Sequence, residues 1–177
     1  MTFLVNDEPL HREQFKNNHV RIIRVTLPKG VETLWHQHLR NTIYIALTDF
    51  NSIEYSEREK VLKVEKGSIL HRDHRQDHLV HKIKSIEDSE LLGVELQQSN
   101  PIEPLPTTAH VIKQTSEFRI LKSNEYKLIY KSVLVSLESQ LVFINGKQCQ
   151  LNLGDFLFLE NGELVVSTNL LIIELFE

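Results

Sequence analysis

The chain has 177 residues, a length that suits either one ordinary domain or two small ones. Hydrophobic residues make up 41% of it and charged residues 25%, which excludes wholesale disorder. The 20 basic and 24 acidic side chains give a net charge of -4, so we expect no nucleic-acid partner. No apolar run approaches the length of a membrane span, and the single cysteine cannot form an internal disulfide. We therefore expect a soluble cytoplasmic protein with no membrane partner.

Short runs rich in β-branched and aromatic residues recur along the whole chain and predict an all-β fold. The first half has predicted strands at 20–27, 34–38, 42–48, 60–66, 68–72, 78–84 and 90–97. The second half has them at 117–121, 127–137, 140–144, 147–153, 155–159, 164–167 and 170–176. A short helix is predicted at 7–15, and the pair Asn145-Gly146 predicts a two-residue hairpin turn.

The segment 99–109 holds three of the five prolines and predicts a linker between two modules. The N-terminal module then spans 1–98, with an arm at 1–19, and the C-terminal module spans 110–177. The two halves are weakly alike: residues 20–24 resemble 118–122, residues 61–68 resemble 149–155, and residues 91–96 resemble 171–175. This repeat predicts the duplication of one β unit.

Histidine is the residue type whose distribution points to chemistry, because all nine histidines lie at or before His110. His36 and His38 are two residues apart, which in a strand places both imidazoles on one face, where they could share a cation. A solvated pair of strand histidines is the alternative. His78, at the start of a later strand, could bring a third imidazole to the pair. Three such ligands leave open positions, as in catalytic rather than structural metal sites.

A second pattern competes in the same region. His71, His74, His78 and His81 are spaced three, four and three residues apart, which is also the spacing of a stripe on a helix. If the region is a strand instead, His78 lies on one face and His81 shares the other face with Ile83. Both interpretations stay open from the sequence.

The first half resembles a cupin module on specific residues. Gly30, His36 and His38 match the first cupin motif, and Gly67 and His78 match the second, eleven residues apart. The motif glutamate is missing, because positions 42 and 43 are Thr42 and Ile43. The second motif departs at three positions, which are Asp73, Arg75 and Lys82. The resemblance implies an RmlC-like double-stranded β-helix, or jelly-roll barrel. The second half resembles a decayed copy of this module, because nothing in it matches His36 and His38. The resemblance therefore implies a bicupin of two tandem modules.

The resemblance also implies a metal and a ligand. The metal would be divalent Fe, Ni, Zn or Mn, held by His36, His38 and His78. Three neutral imidazoles leave its charge uncompensated and favour a small anionic molecule. The candidate ligand-binding residues flank the histidines and are Thr42, Tyr44, Arg40 and His71.

Two functions stay open. One is a metal-dependent oxidoreductase with dioxygenase-like chemistry, and the other is a non-catalytic cupin that binds a small molecule or dimerises after losing the metal. A homodimer is expected for both. The second module is expected to hold no metal and to have an apolar interior, lined by Val133, Val135, Leu151, Phe156, Phe158 and Ile172.

Overall fold

The structure, a computed structural model, describes residues 2–98 and 101–176. Ser99 and Asn100 of the predicted linker lie outside the described residues, and 101–109 contains no helix or strand. The chain forms two compact units, which we call the first barrel (residues 1–97) and the second barrel (residues 98–177). Within the described residues, no helix is both long and apolar enough to cross a membrane.

The first barrel consists of two five-stranded sheets. Its strands are β1 (Phe3–Leu4), β2 (His11–Lys16), β3 (Val20–Leu27), β4 (His36–Gln37), β5 (Asn41–Ala46), β6 (Phe50–Tyr55), β7 (Glu59–Val64), β8 (Ile69–Asp73), β9 (Val80–Ser85) and β10 (Ser89–Leu96). One sheet has the order β1-β4-β9-β6-β7 and the other has the order β2-β3-β10-β5-β8. A four-residue helix, α1 (His74–Asp77), lies between β8 and β9.

The second barrel repeats this plan. Its strands are β11 (His110–Gln114), β12 (Phe118–Lys122), β13 (Glu125–Lys127), β14 (Ser132–Ser136), β15 (Gln140–Ile144), β16 (Lys147–Leu151), β17 (Phe156–Leu159), β18 (Leu164–Val166) and β19 (Leu170–Leu175). Its sheets have the orders β11-β12-β19-β14-β17 and β13-β18-β15-β16. The predicted all-β jelly-roll architecture is therefore confirmed in both units, and the sequence repeat falls on strands of equivalent order.

The repeated strands carry the same buried ion pair. Arg21 on β3 lies opposite Glu95 on β10, with Nη1 3.1 Å from Oε2. Arg119 on β12 lies opposite Glu174 on β19, and its Nε is 2.8 Å from Oε2. All four side chains are buried, so each carboxylate satisfies a guanidinium that would be costly to leave unpaired. Tyr126 donates a further hydrogen bond to Glu174 over 3.0 Å.

The strand pairing tests two local predictions, the hairpin turn at Asn145-Gly146 and the helix at 7–15. The turn at Asn145-Gly146 is confirmed, because both residues have positive φ and Ile144 pairs with Lys147 across it. The helix predicted at 7–15 is wrong: a 3₁₀ turn spans Val5–Asp7, and β2 pairs with β3 from His11 onward. Pairing along the edge of a sheet outweighs the weak local helix preference of this segment.

The predicted interior of the second barrel needs one correction. Leu151 and Ile172 belong to its apolar core, as expected. From strand β14, however, it is Leu134 that belongs to this core. Val133 and Val135 are buried on the opposite face of the strand, since neighbouring residues alternate. On β17 it is likewise Leu157 and Leu159, rather than Phe156 and Phe158, that pack against the core. For these two strands the prediction was wrong by one residue, so it assigned the inward-facing side chains to the outer face and the outward-facing ones to the core.

Candidate metal centre

Three buried histidines meet inside the first barrel because of strand register. His36 on β4 lies directly opposite His81 on β9 in an antiparallel pair. His38 follows two residues after His36, and its backbone N–H donates to the carbonyl of Leu79 over 3.1 Å. The three side chains thus come from two adjacent chain segments and point to one face. Each of them is less than 9% exposed.

The ring nitrogens of these three residues form a compact donor set. Nε2 of His36 lies 3.1 Å from Nε2 of His38 and 3.1 Å from Nε2 of His81. One ring nitrogen from each residue lies within 4.8 Å of the other two. We refer to His36, His38 and His81 as the histidine cluster.

Hydrogen bonds at the opposite ring nitrogens fix the orientation of two of these imidazoles. Nδ1 of His36 donates to the carbonyl of Leu34 over 2.9 Å, and Nδ1 of His81 donates to Oε1 of Glu54 over 2.7 Å. In the tautomer with hydrogen on Nδ1 alone, the rings of His36 and His81 aim their Nε2 lone pairs at each other. A cation between such lone pairs would turn a repulsive contact into an attractive one, so the cluster fits a metal ion.

The electrostatics keep His36 and His38 neutral near pH 7. Burial, followed by the neighbouring His81, lowers the pKa of His36 to about 4 and that of His38 well below its usual value of 6.5. Glu54 is charged, because the hydrogen bond from His81 lowers its pKa to about 2 despite burial. Arg72 contributes to the same effect, with Nη1 3.2 Å from Glu54 Oε1. His36 and His38 are therefore neutral, and an ionised carboxylate lies behind His81, an arrangement found behind metal-bound histidines.

Tyr44 supports His38 in a similar way. Its hydroxyl lies 3.2 Å from Nδ1 of His38 and 3.0 Å from Nε2 of His74, which is fully buried. When Nε2 of His38 faces a cation, Nδ1 carries the hydrogen and donates it to the Tyr44 oxygen. The Tyr44 hydroxyl then donates its own hydrogen to His74. Tyr44 and His74 therefore fix the His38 ring with its lone pair toward the cluster.

Replacing Tyr44 by phenylalanine should weaken metal binding by about 10- to 100-fold, because it removes the acceptor that orients His38. The measurement is a competition titration with Zn(II) and a chromophoric chelator. Tyr130→Phe, a change at a tyrosine of the second barrel, is the matched control and should leave the affinity unchanged. Equal affinities for Tyr44→Phe and the unchanged protein would contradict this role.

His78 lies outside the cluster, contrary to the sequence prediction. It is exposed, ends helix α1 in a left-handed conformation with φ 30°, and donates from Nε2 to the carbonyl of Arg75 over 2.9 Å. The reason is the insertion of α1, whose N-terminus is capped by the Asp73 side chain. The helix delays the start of β9 to Val80, so the inward position falls on His81. The predicted pairing of His81 with Ile83 on one face is confirmed, since both line the same cavity.

The four predicted ligand-binding residues are dispersed. Tyr44 lines the cavity beside the cluster. The Thr42 hydroxyl donates to the carbonyl of Arg40 over 3.1 Å and lines a small adjoining cavity. Arg40 is exposed and lines a separate pocket together with Arg21 and Glu95. His71 Nε2 lies 2.6 Å from Oδ1 of Asn41, on the face of β8 opposite to Leu70 and Arg72, which line the cluster's cavity.

Three residues that the sequence did not assign to the site surround the cluster. His11, His74 and Glu54 come from the N-terminal arm, helix α1 and strand β6. Glu54 opens a charged run that predicts a solvated hairpin tip, yet it is only 5% exposed. The alternating burial of β6 places it inward with Phe50 and Ser52.

The cluster forms one wall of a cavity of about 90 Å³. Most of the remaining wall is apolar and is contributed by strands of both sheets: Val25, Leu27, Phe50, Leu62, Val64, Leu70, Ile83 and Leu91. Glu54 and Arg72 also line it, but they are paired with each other. The cavity therefore combines one polar wall of imidazoles with an otherwise apolar lining.

The metal-free protein should lose stability on acidification because the pKa values of His36 and His38 are lowered in the folded state. The pKa of His36 falls from 6.5 to about 4 on folding, so the unfolded chain binds the proton first as pH decreases. The free energy of unfolding should therefore fall between pH 6.5 and 4, by about 3 kcal/mol from His36 alone. Urea denaturation with EDTA present measures this, and His36→Gln should show a smaller decrease. A flat profile over this range would contradict the prediction.

Comparison with known proteins gives structural but not sequence similarity. No protein-family model and no curated protein matches the sequence. A cupin 2 conserved barrel domain protein from Leptotrichia buccalis is 13% identical, with a TM-score of 0.62 over 94% of this chain and 88% of that one. AerE from Microcystis aeruginosa is 16% identical, with a TM-score of 0.58 over 96% of this chain and 99% of that one.

A third similar structure is the salicylate 1,2-dioxygenase from Pseudaminobacter salicylatoxidans. It is 10% identical, with a TM-score of 0.60 over 92% of this chain and 75% of that one. At these identities the similarity concerns the fold alone. The chain has the cupin fold that the motif residues of its first half imply.

Proposed function

We propose that the first barrel binds one divalent metal ion through His36, His38 and His81, and that the metal binds a small organic anion. The observation that carries this proposal is the donor set itself: three buried histidines, each with one ring nitrogen within 4.8 Å of the other two, that line one cavity. A cluster of this kind is expensive to bury without a function, because its nitrogen atoms have lost water. Three imidazoles are also a frequent ligand set of catalytic metal sites.

The charge balance supports an anion as the ligand. His36 and His38 are neutral near pH 7, and the negative charge of Glu54 is already matched by Arg72 and by the hydrogen bond from His81. A divalent ion would keep most of its positive charge and attract an anionic group. A metal with open positions supplies Lewis-acid polarisation of a bound molecule. Oxidation of the anion with O2 is the activity we propose to test first, since a dioxygenase is among the proteins of similar fold.

The cavity supports a short aliphatic body for this anion. Its volume of about 90 Å³ is smaller than that of an engineered apolar cavity of about 150 Å³ that accommodates benzene. Its apolar lining offers no hydrogen-bonding partners that a polar body would require. The carboxylate of a short-chain acid could thus reach the metal while its carbon chain packs among the apolar residues.

Two measurements test this function in sequence. Protein mixed with Fe(II), Ni(II), Zn(II) or Mn(II) and freed of excess metal should retain about one equivalent of at least one of them. Retention below about a tenth of an equivalent for all four metals would contradict the proposal. His36→Ala should retain none, and His110→Ala, at an exposed histidine, should behave as the unchanged protein.

The ligand is tested by thermal unfolding of the metal-loaded protein. Propionate and butyrate should raise Tm only when metal is present, and salicylate should have a smaller effect because its ring exceeds the cavity. A larger shift with salicylate would overturn the assignment of a short aliphatic body. Oxygen uptake with the Fe(II) form then separates an enzyme from a metal-dependent binding protein.

A further inference from the structure

His11, on the N-terminal arm, lies against the histidine cluster. Its ring centroid is 4.7 Å from that of His36, and the two rings meet edge to face. For comparison, the centroids of His36 and His81 are 4.6 Å apart. The ring centroids of His11 and His38 are 5.9 Å apart, and His11 lines the same cavity as the three cluster residues. Measured between ring centroids, His11 is thus about as close to His36 as His81 is.

Strand pairing holds His11 in this position. It is the first residue of β2 and lies opposite Val25 of β3, which also lines the cavity. Its backbone N–H donates to the carbonyl of Glu8 over 3.0 Å. The Glu8 carboxylate accepts hydrogen bonds from the backbone N–H groups of Leu10 and Leu34, two residues before His36. The arm is therefore fastened to the segment that carries the cluster.

Nδ1 of His11 has no hydrogen-bond partner among the described residues, although it is enclosed by protein. A buried polar atom without a partner is uncommon in folded proteins and indicates a missing ligand, ion or water. An imidazole binds a metal through the ring nitrogen that carries no hydrogen, and Nδ1 of His11 is such a candidate atom.

The oxygen-bearing side chains near the cluster already take part in hydrogen bonds or ion pairs. The Thr33 hydroxyl accepts from the N–H of Ile83 over 2.9 Å, and the Tyr44 hydroxyl lies between His38 and His74. The hydroxyl of Thr42 is directed to the carbonyl of Arg40. Glu54 is occupied by His81 and Arg72. His11 differs from these groups because one of its ring nitrogens, Nδ1, has no hydrogen-bond partner among the described residues.

We propose that His11 is a fourth protein ligand of the metal centre, supplied by the N-terminal arm. This inference rests on the proposed function of the histidine cluster. Four neutral imidazoles would favour a metal of borderline softness, such as Ni(II), Co(II), Zn(II) or Fe(II), over Mg(II) or Ca(II). A six-coordinate metal would keep two positions for an anion. Metal binding would then also tie β2 and the arm more firmly to the barrel.

The test is a Co(II) titration followed by visible absorption, which reports both affinity and ligand set. His11→Ala and His11→Gln should bind Co(II) at least about tenfold more weakly than the unchanged protein and with a different spectrum. His110→Ala, at an exposed histidine of the second barrel, is the matched control and should change neither. Circular dichroism confirms that each variant is folded.

A measurement on the unchanged protein complements the variants. Long-range ¹H–¹⁵N correlation spectra resolve the imidazole nitrogens, and Zn(II) should shift one His11 ring nitrogen together with those of His36, His38 and His81. If the His11 variants retain the affinity and spectrum while His36→Ala loses binding, the role of His11 is overturned and the proposed function stands. A His11 nitrogen signal that Zn(II) leaves unchanged overturns it as well. If the unchanged protein binds no metal, both proposals fail.

Discussion

His81→Ala should weaken metal binding by at least about 100-fold, whereas His78→Ala should leave the affinity within about threefold of the original. His81 contributes one of the three Nε2 atoms of the cluster and connects it to Glu54. His78 is exposed and donates to the carbonyl of Arg75. Loss of an outer hydrogen-bond partner alone typically costs about 10- to 100-fold in metal affinity, and loss of a ligand costs more.

Isothermal titration with Zn(II) compares the two variants directly. Each variant replaces one histidine by alanine, and the two positions are three residues apart. The two variants therefore have the same composition and the same formal charge. Glu54→Gln is a useful intermediate, expected to weaken binding by about 10- to 100-fold because His81 loses its ionised partner. The opposite ranking, with His78→Ala weaker than His81→Ala, would show that the cluster is not the metal site.

Glu174→Gln should lower the free energy of unfolding of the second barrel by about 3–5 kcal/mol. Arg119 is 1% exposed and Glu174 is fully buried, so the amide would leave a guanidinium charge without its counter-ion. Tyr126 and Arg119 both donate hydrogen bonds to this carboxylate. Replacing Glu174 therefore disturbs a network of hydrogen bonds and not a single contact. Urea denaturation of the full chain measures the effect.

Two further variants define the cause of that loss. Lys122→Ala, at an exposed position of the same strand, should change stability by less than about 0.5 kcal/mol. The double replacement Arg119→Met with Glu174→Leu removes both charges and should recover much of the lost stability. If Glu174→Gln costs less than about 1 kcal/mol, the pair does not hold the second barrel together in the way described.

Much of the fold follows from local patterns in the sequence. Alternating apolar residues and turn residues indicate strands throughout, and Asn145-Gly146 marks its hairpin because both positions need positive φ. The weak repeat proved informative at Arg21 and Arg119, which form equivalent buried ion pairs. The helix predicted at 7–15 failed because pairing with β3 is a long-range interaction that local propensity does not contain.

The site was predictable only where its residues are close in sequence. His36 and His38 share a face because strands alternate, and this parity requires no knowledge of the fold. Assigning the third histidine required the length of the β8–β9 connection, which helix α1 extends. His11 and Glu54 reach the cluster through the register of β2 with β3 and of β6 with β9. No spacing in the sequence carries that information.

The most direct test of the account is an anomalous diffraction map from crystals of the protein grown with Zn(II) or Co(II), measured at the absorption edge of the metal. We predict one strong peak in the first barrel, bound by Nε2 of His36, His38 and His81, with none in the second barrel. A map with no peak between these three residues, or with the metal bound by His78, would contradict the account.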